Sequence, residues 1–372
     1  MPTDFDPNAA ALSDSGVFGL PHTPEEARVV LLPVPWEATT SYGGGTSKGP
    51  AAILSASRQV DLFDLETGKP YAQGIAMVDE PSSIRRWNRE AKRLAKPIIE
   101  RGGELRSAKD RKALEQVNAL SDKVNDWVYA ETRRFLEQGK IVGTIGGDHA
   151  VPYGAIRAHA EKYPGLGILH LDAHADLRPA YEGFVWSHAS IFHNVMTRLP
   201  SVAKLVQVGI RDMSSEEQDM IVDSRGRIID FYDSELARRR FDGVPWNTQV
   251  DQIVSKLPEH VYLSFDIDGL DPTLCPNTGT PVPGGLSFPE AVALVSGVVR
   301  SGRRIVGFDL CEVAPDPRGG EWDGNVGARL LYKMIGWTLR SQEPREKSRA
   351  RTTAPGAAKK AKAPSRPKRG EA

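Results

Sequence analysis

Eight short apolar runs recur along this 372-residue chain, and stretches of helical character separate most of them. They are Arg28-Val-Val-Leu-Leu-Pro-Val-Pro, Gly74-Ile-Ala-Met-Val, Ile141-Val-Gly-Thr-Ile and Gly167-Ile-Leu-His-Leu, followed by Leu205-Val-Gln-Val-Gly-Ile, Arg227-Ile-Ile-Asp-Phe, Val261-Tyr-Leu-Ser-Phe and Arg304-Ile-Val-Gly-Phe. Each is apolar on successive positions, as a strand covered on both faces must be. Helical segments are expected over 83–102, 110–138, 152–162, 216–222, 248–257 and 289–301. Strand alternating with helix requires a parallel sheet with helices on both sides. The expected fold is therefore α/β, a three-layer α/β/α domain with a mainly parallel central sheet over 26–340. A flexible lead-in over 1–25 precedes it.

Charge sorts the chain further. The 48 Lys and Arg balance 48 Asp and Glu, so no whole-chain field draws it to nucleic acid or a membrane. The balance is uneven: ten basic against three acidic residues between 341 and 372 give 10 − 3 = +7, leaving −7 for the rest. This tail has no aromatic residue and no Ile, Leu, Val or Met, so a disordered basic appendage is expected there. No apolar run approaches the roughly 20 residues of a membrane span. The amino terminus lacks the basic and apolar regions of a secretory signal. Two cysteines, Cys275 and Cys311, build neither a disulfide framework nor a thiolate zinc site. A cytoplasmic location is the expectation.

Four of the apolar runs end in dense polar clusters, and open α/β sheets bind ligands at the carboxyl ends of their strands. The clusters read Ile145-Gly-Gly-Asp-His149, Leu169-His-Leu-Asp-Ala-His-Ala-Asp176, Leu263-Ser-Phe-Asp-Ile-Asp-Gly-Leu-Asp271 and Gly307-Phe-Asp-Leu-Cys-Glu312. Asp172, His174 and Asp176 are spaced i, i+2, i+4, so an extended segment would turn all three to one face. Asp266 and Asp268 repeat the spacing. Four carboxylates this close ionise together only if cations neutralise them. Carboxylate with imidazole and no thiolate suits Mn²⁺ first, then Ni²⁺, Fe²⁺ or Zn²⁺. The number of carboxylates favours two ions, with His149 completing the binding spheres. Alone, Asp172-Ala-His could be a helix cap and Asp266/Asp268 a solvated turn; their joint occurrence argues otherwise. His170 is read as a satisfied core histidine.

These clusters resemble the ureohydrolase family of arginases, agmatinases and related guanidino-acid hydrolases, and the resemblance extends from about residue 28 to 340. The loop Gly43-Gly-Gly belongs to it; lacking a Gly-Lys-Ser/Thr ending, it is no phosphate cradle. The resemblance implies an arginase-like fold and two Mn²⁺ per subunit, with Ni²⁺ the alternative. His149, Asp172, Asp176 and Asp266 would bind one ion, and Asp172, His174, Asp266 and Asp268 the other. A hydroxide between the ions would attack the guanidinium carbon, hydrogen-bonded to Asp176. Glu312 would pair with the guanidinium and His188 would shuttle protons. It also implies a homo-oligomer, trimeric or hexameric.

Thr278-Gly-Thr-Pro-Val-Pro-Gly-Gly-Leu looks like the agmatinase side of the family, so agmatine, cleaved to putrescine and urea, is the expected substrate. Guanidine or a guanidino acid (guanidinobutyrate, guanidinopropionate or arginine) is the alternative; a single-metal deacetylase of related fold is a more distant one. In the loop Leu177-Arg-Pro-Ala-Tyr-Glu-Gly-Phe-Val-Trp-Ser187, Glu182 could meet a substrate amine and Arg178 a carboxylate, or both could simply pack the loop. The basic stretch within 79–116 is expected to be an extra surface helix.

Overall fold

In a computed structural model, which describes residues 5–343, the eight runs form one sheet. Its strands are β1 (Val29–Val34), β2 (Ile75–Met77), β3 (Ile141–Gly146), β4 (Leu166–Leu171), β5 (Val202–Ile210), β6 (Ile228–Tyr232), β7 (His260–Asp266) and β8 (Arg304–Cys311). Across the sheet the order is β2-β1-β3-β8-β7-β4-β5-β6, and every neighbouring pair is parallel. All residues of β1, β3 and β4 are buried, which is why those segments are apolar without alternation.

The helices are α1 (Gly49–Ser57), α2 (Ser82–Ile99), α3 (Ala108–Glu137), α4 (Tyr153–Lys162), α5 (Ile191–Arg198), α6 (Ser215–Asp223), α7 (Asp233–Phe241), α8 (Trp246–Val254), α9 (Phe288–Arg300) and α10 (Trp322–Ser341). Alternate strand residues serve two cores. Leu169 and Leu171 of β4 join Ile53 of α1, Ile253 of α8, Leu294 of α9 and Leu331 of α10. Leu166 and Ile168 join Ile98 of α2, Val124 of α3, Ile156 of α4 and Phe192 of α5. The result is the three-layer α/β/α architecture. Helix starts follow local chemistry: Ser214 with Glu217 and Ser287 with Glu290 form reciprocal capping boxes at α6 and α9.

Residues 17–20 differ from the flexible lead-in expected over 1–25. Val17, Phe18 and Leu20 are buried in the core, and the Phe18 ring lies 4.8 Å from that of Tyr332. Three apolar side chains in a short segment bury enough surface to fix it. The basic tail expected over 341–372 lies, from residue 344, outside the described residues. Among the described residues no helix is long and apolar enough to cross a membrane.

The sheet order positions the site. The chain passes from β3 to β4 across the places later filled by β8 and β7, so β3, β8, β7 and β4 stand side by side at the centre. Their carboxyl ends carry all four polar clusters, over the crevice such a crossover leaves.

Candidate metal centre and substrate cleft

Each strand delivers its side chains by a particular turn. After β3, Gly147 lets the chain pass close under Trp36: a Cβ there would stand 1.8 Å from the Trp36 carbonyl oxygen. This turn aims His149 inward. After β4, Asp176 adopts a left-handed backbone with φ of 55°, so this turn, rather than alternation along an extended chain, aims Asp176 at the cluster that Asp172 and His174 enter. After β7, the Asp268 amide donates to Asp266 Oδ1 at 2.9 Å. After β8, Glu312 is also left-handed, with φ of 63°. Such residues carry about 1–3 kcal/mol of strain each and collect at functional sites.

The six expected ligands converge. His149 Nδ1 lies 3.0 Å from Asp172 Oδ2, 3.2 Å from Asp176 Oδ2 and 3.4 Å from Asp266 Oδ2. His174 Nδ1 lies 3.4 Å from Asp172 Oδ1 and 3.1 Å from Asp268 Oδ2. Asp172 thus gives one oxygen to each group. Adjacent ligands of an octahedral ion with bonds of about 2.1 Å stand about 3.0 Å apart, so the spacing of this buried His/Asp set fits divalent cations. All the donors are carboxylate and imidazole, the set that Mn²⁺ accepts.

Without cations the cluster is short of positive charge. Burial and the Asp172 charge push Asp176 up to about 7. Burial, then Asp268 and Asp172, hold Asp266 well above the carboxylate range. Burial works against the charged form of His174, yet Asp268 and Asp172 raise it to about 12. Burial likewise opposes a charge on His149, but bonds to Asp172 and Asp176 lift it well above the usual value. Divalent cations held by these groups would supply the missing positive charge.

A second layer of polar groups orients these ligands. His149 Nε2 is 3.0 Å from Ser264 Oγ, which donates to Asp309 Oδ2 at 2.9 Å. With Nε2–H directed at Ser264, Nδ1 is the nitrogen turned to the carboxylates. His170 is buried and bonded, as a core histidine should be, but its Nε2 partner is Asp172 Oδ2 at 2.8 Å. It therefore belongs to the site.

An open cleft of about 260 Å³ leads to the cluster. His174 and Asp176 reach it, and Arg178, Tyr181, His188, Ser41, Tyr42, Asp212, Met213, Glu217 and Thr280 are among the other residues that line it. Burial, and then the His174 charge, bring His188 down to about 4, leaving a neutral ring whose Nδ1 has no partner. Glu312 Oε1 accepts the His149 amide at 3.0 Å, while its Oε2 is buried and unpartnered. That oxygen faces Gly279, where a Cβ would stand 3.1 Å away. Arg178 lies 3.6 Å from the Glu217 carboxylate and 5.2 Å from the Tyr181 ring. Glu182 does not line the cleft: its backbone packs where Gly103 lacks a Cβ, so it fits the loop-packing role. Asp212 carries no motif that marks it in the sequence, and nothing in the sequence assigns Tyr42 or Glu217 to the site; the fold brings all three to the cleft.

A model of the arginase family matches residues 27–336. The chain belongs to the arginase family. The N(1)-aminopropylagmatine ureohydrolase of Thermus thermophilus is 36% identical over 324 residues, covering 86% of this chain and 94% of that protein. The agmatinase of Sodalis glossinidius is 32% identical, covering 86% of this chain and 92% of that one. Among solved structures, the agmatine ureohydrolase of Thermoplasma volcanium superposes with a TM-score of 0.67 at 22% identity, covering 88% of this chain and 96% of that one. The last likeness speaks for the arginase fold. Within this family the polar clusters at the ends of β3, β4, β7 and β8 form the candidate centre.

Proposed function

We propose that this arginase-family protein hydrolyses the guanidino C–N bond of a cationic amine, agmatine or its N1-aminopropyl derivative, releasing urea and the corresponding polyamine. Glu312 carries the reading. Its buried, unpartnered Oε2 is an acceptor without a donor, set beside a cluster suited to two cations, and a planar guanidinium supplies paired N–H donors to such a carboxylate.

His149, Asp172, Asp176 and Asp266 would hold one ion and Asp172, His174, Asp266 and Asp268 the other, with Mn²⁺ the expected metal. When bound, the ions neutralise the carboxylates and acidify water enough to make a nucleophile near neutral pH. Glu312 orients the guanidinium so that its central carbon faces the cluster. Asp176, which reaches both the cluster and the cleft, accepts a hydrogen bond from the attacking water. His188, which lines the cleft with an unpartnered Nδ1, relays a proton, accepting one from water at one ring nitrogen as it passes one to the departing amine from the other.

The cleft favours a cationic tail. Asp212 and Glu217 both line it, and Arg178, the only Lys or Arg among its lining residues, is already beside Glu217. A guanidino acid would have to compete with Glu217 for that guanidinium. The relatives named as aminopropylagmatine ureohydrolase and agmatinase support an amine.

The test is urea release by Mn²⁺-loaded protein from N1-aminopropylagmatine, agmatine, arginine, guanidinobutyrate, guanidinopropionate and guanidine. The expected order places the two amines first in kcat/KM. Preference for a guanidino acid overturns the substrate assignment, and no urea from any compound overturns the reaction.

A further inference from the structure

Strand register aligns a row of polar side chains beneath the metal centre. Thr144 of β3 pairs with Asp309 of β8, Asp309 with Ser264 of β7, Ser264 with His170 of β4, and His170 with Gln207 of β5. All five are fully buried. A buried polar group is costly unless bonded, and the cores on either side of this sheet are apolar. A polar row in that setting calls for a role.

The bonds at its β4–β5 end define one. Gln207 Nε2 is 2.8 Å from the Ala175 carbonyl oxygen, which can only accept, so this end of the amide is the NH₂ group. Its second hydrogen points to His170 Nδ1, also 2.8 Å away. Nδ1 must then present its lone pair, and the ring's single N–H lies on Nε2. That N–H donates to Asp172 Oδ2 at 2.8 Å. At the other oxygen, Asp172 Oδ1 accepts the His174 amide at 2.6 Å. The carboxylate is thus gripped at both ends, with Oδ2 turned to His149 and Oδ1 to His174.

We infer that His170, locked in one tautomer by Gln207, is a positioning residue that sets the Asp172 carboxylate across the two cation positions. The inference rests on the two-ion reading of the centre. Removing either the His170 donor or the Gln207 donor frees Asp172 to turn, and loss of such a supporting bond lowers metal affinity or activity about 10–100-fold. Packing alone does not predict this. The His170 ring sits 4.1 Å from the Phe192 ring, so a phenylalanine in its place keeps the aromatic contact without the N–H.

The experiment measures Mn²⁺ affinity by chelator competition on the full chain, for wild type, His170→Phe, His170→Gln and Gln207→Met, with melting temperatures recorded beside it. The expected result is two ions per wild-type chain and at least tenfold weaker binding in His170→Phe and Gln207→Met. His170→Gln, whose amide N–H reaches toward the Nε2 position, recovers most of the affinity. Nitrogen chemical shifts of the metal-free protein add a readout that packing does not move: His170 shows the Nε2–H tautomer in wild type and a mixture in Gln207→Met. Wild-type affinity in both His170→Phe and Gln207→Met overturns the inference. So do equal losses in His170→Phe and His170→Gln that merely track the melting temperature. A wild-type chain that binds two ions but releases no urea overturns the proposed reaction while leaving the positioning role standing; one that binds no ion overturns both.

Discussion

Replacing Glu312 with glutamine isolates the guanidinium contact from the metal contacts. Glutamine keeps the shape and retains an acceptor for the His149 amide, now 3.0 Å from Oε1. With its oxygen held by that amide, its NH₂ falls where Oε2 waits unpartnered, a donor set against the donors of a guanidinium. Burial, and then the Asp148 charge, hold this carboxyl well above the usual range when it stands alone; a guanidinium and two divalent ions reverse that preference. Breaking one side of a buried ion pair costs about 3–5 kcal/mol, and each 1.36 kcal/mol is tenfold in rate. The expected loss in kcat/KM is therefore about 10²–10⁴-fold. Metal content should not change, because Glu312 gives no oxygen to the His149 Nδ1 or His174 Nδ1 groups. Steady-state urea release and elemental analysis on the same preparation decide the matter. Activity within threefold of wild type refutes the guanidinium role, and loss of an ion refutes the separation of the two contacts.

Three more outcomes follow from the same geometry. In the metal-free chain His174 is raised to about 12 and Asp176 to about 7, so ions must displace protons; Mn²⁺ affinity should rise from pH 6 to pH 8.5, with proton release visible as buffer-dependent heats of binding. Asp212→Asn removes a rim carboxylate from the cleft; an exposed charge pair is worth about 0.2–1 kcal/mol, so KM for agmatine should rise up to about fivefold while KM for guanidine stays constant. Asp230, raised to about 7 by burial, binds its proton more tightly folded than unfolded. It therefore costs stability as pH climbs from the ordinary carboxylate range to about 7, with no further loss above that, and Asp230→Asn should raise the melting temperature at pH 8.5 but leave it unchanged at pH 3.

The eight strands and six of the helices are legible in the sequence because strands buried on both faces leave continuous apolar runs. α1, α5, α7 and α10 are not. α10 contains Gly324, Gly327 and Gly336, which weaken its helical signature; these glycines serve close packing, as where Gly336 meets Thr67 and Gly327 meets Val313 and Ile53. α1 opens on Gly49-Pro50 and is dominated by small residues. At the centre, the clustering of acids and histidines at strand ends announces the ligands, because parallel strands end on one edge of the sheet. The placement of Asp176 could not be read from alternation, since its left-handed turn departs from an extended chain. His170 stands two residues before Asp172 and so shares its face; only Gln207, 37 positions further on, reveals that it acts on the ligand rather than filling the core. The cleft residues Tyr42, Asp212 and Glu217 come from two distant stretches, the loop after β1 and the β5–α6 connection with the first turn of α6, which only the fold brings together.

Asp172, with Oδ2 turned to His149 and Oδ1 to His174, is the carboxylate proposed to bridge the two cation positions. Elemental analysis of chelator-stripped, Mn²⁺-reloaded protein, wild type beside Asp172→Ala, addresses it directly. Two ions per wild-type chain, with occupancy falling at both positions in the variant, is the predicted result; a single ion in wild type, or two ions retained without Asp172, contradicts it.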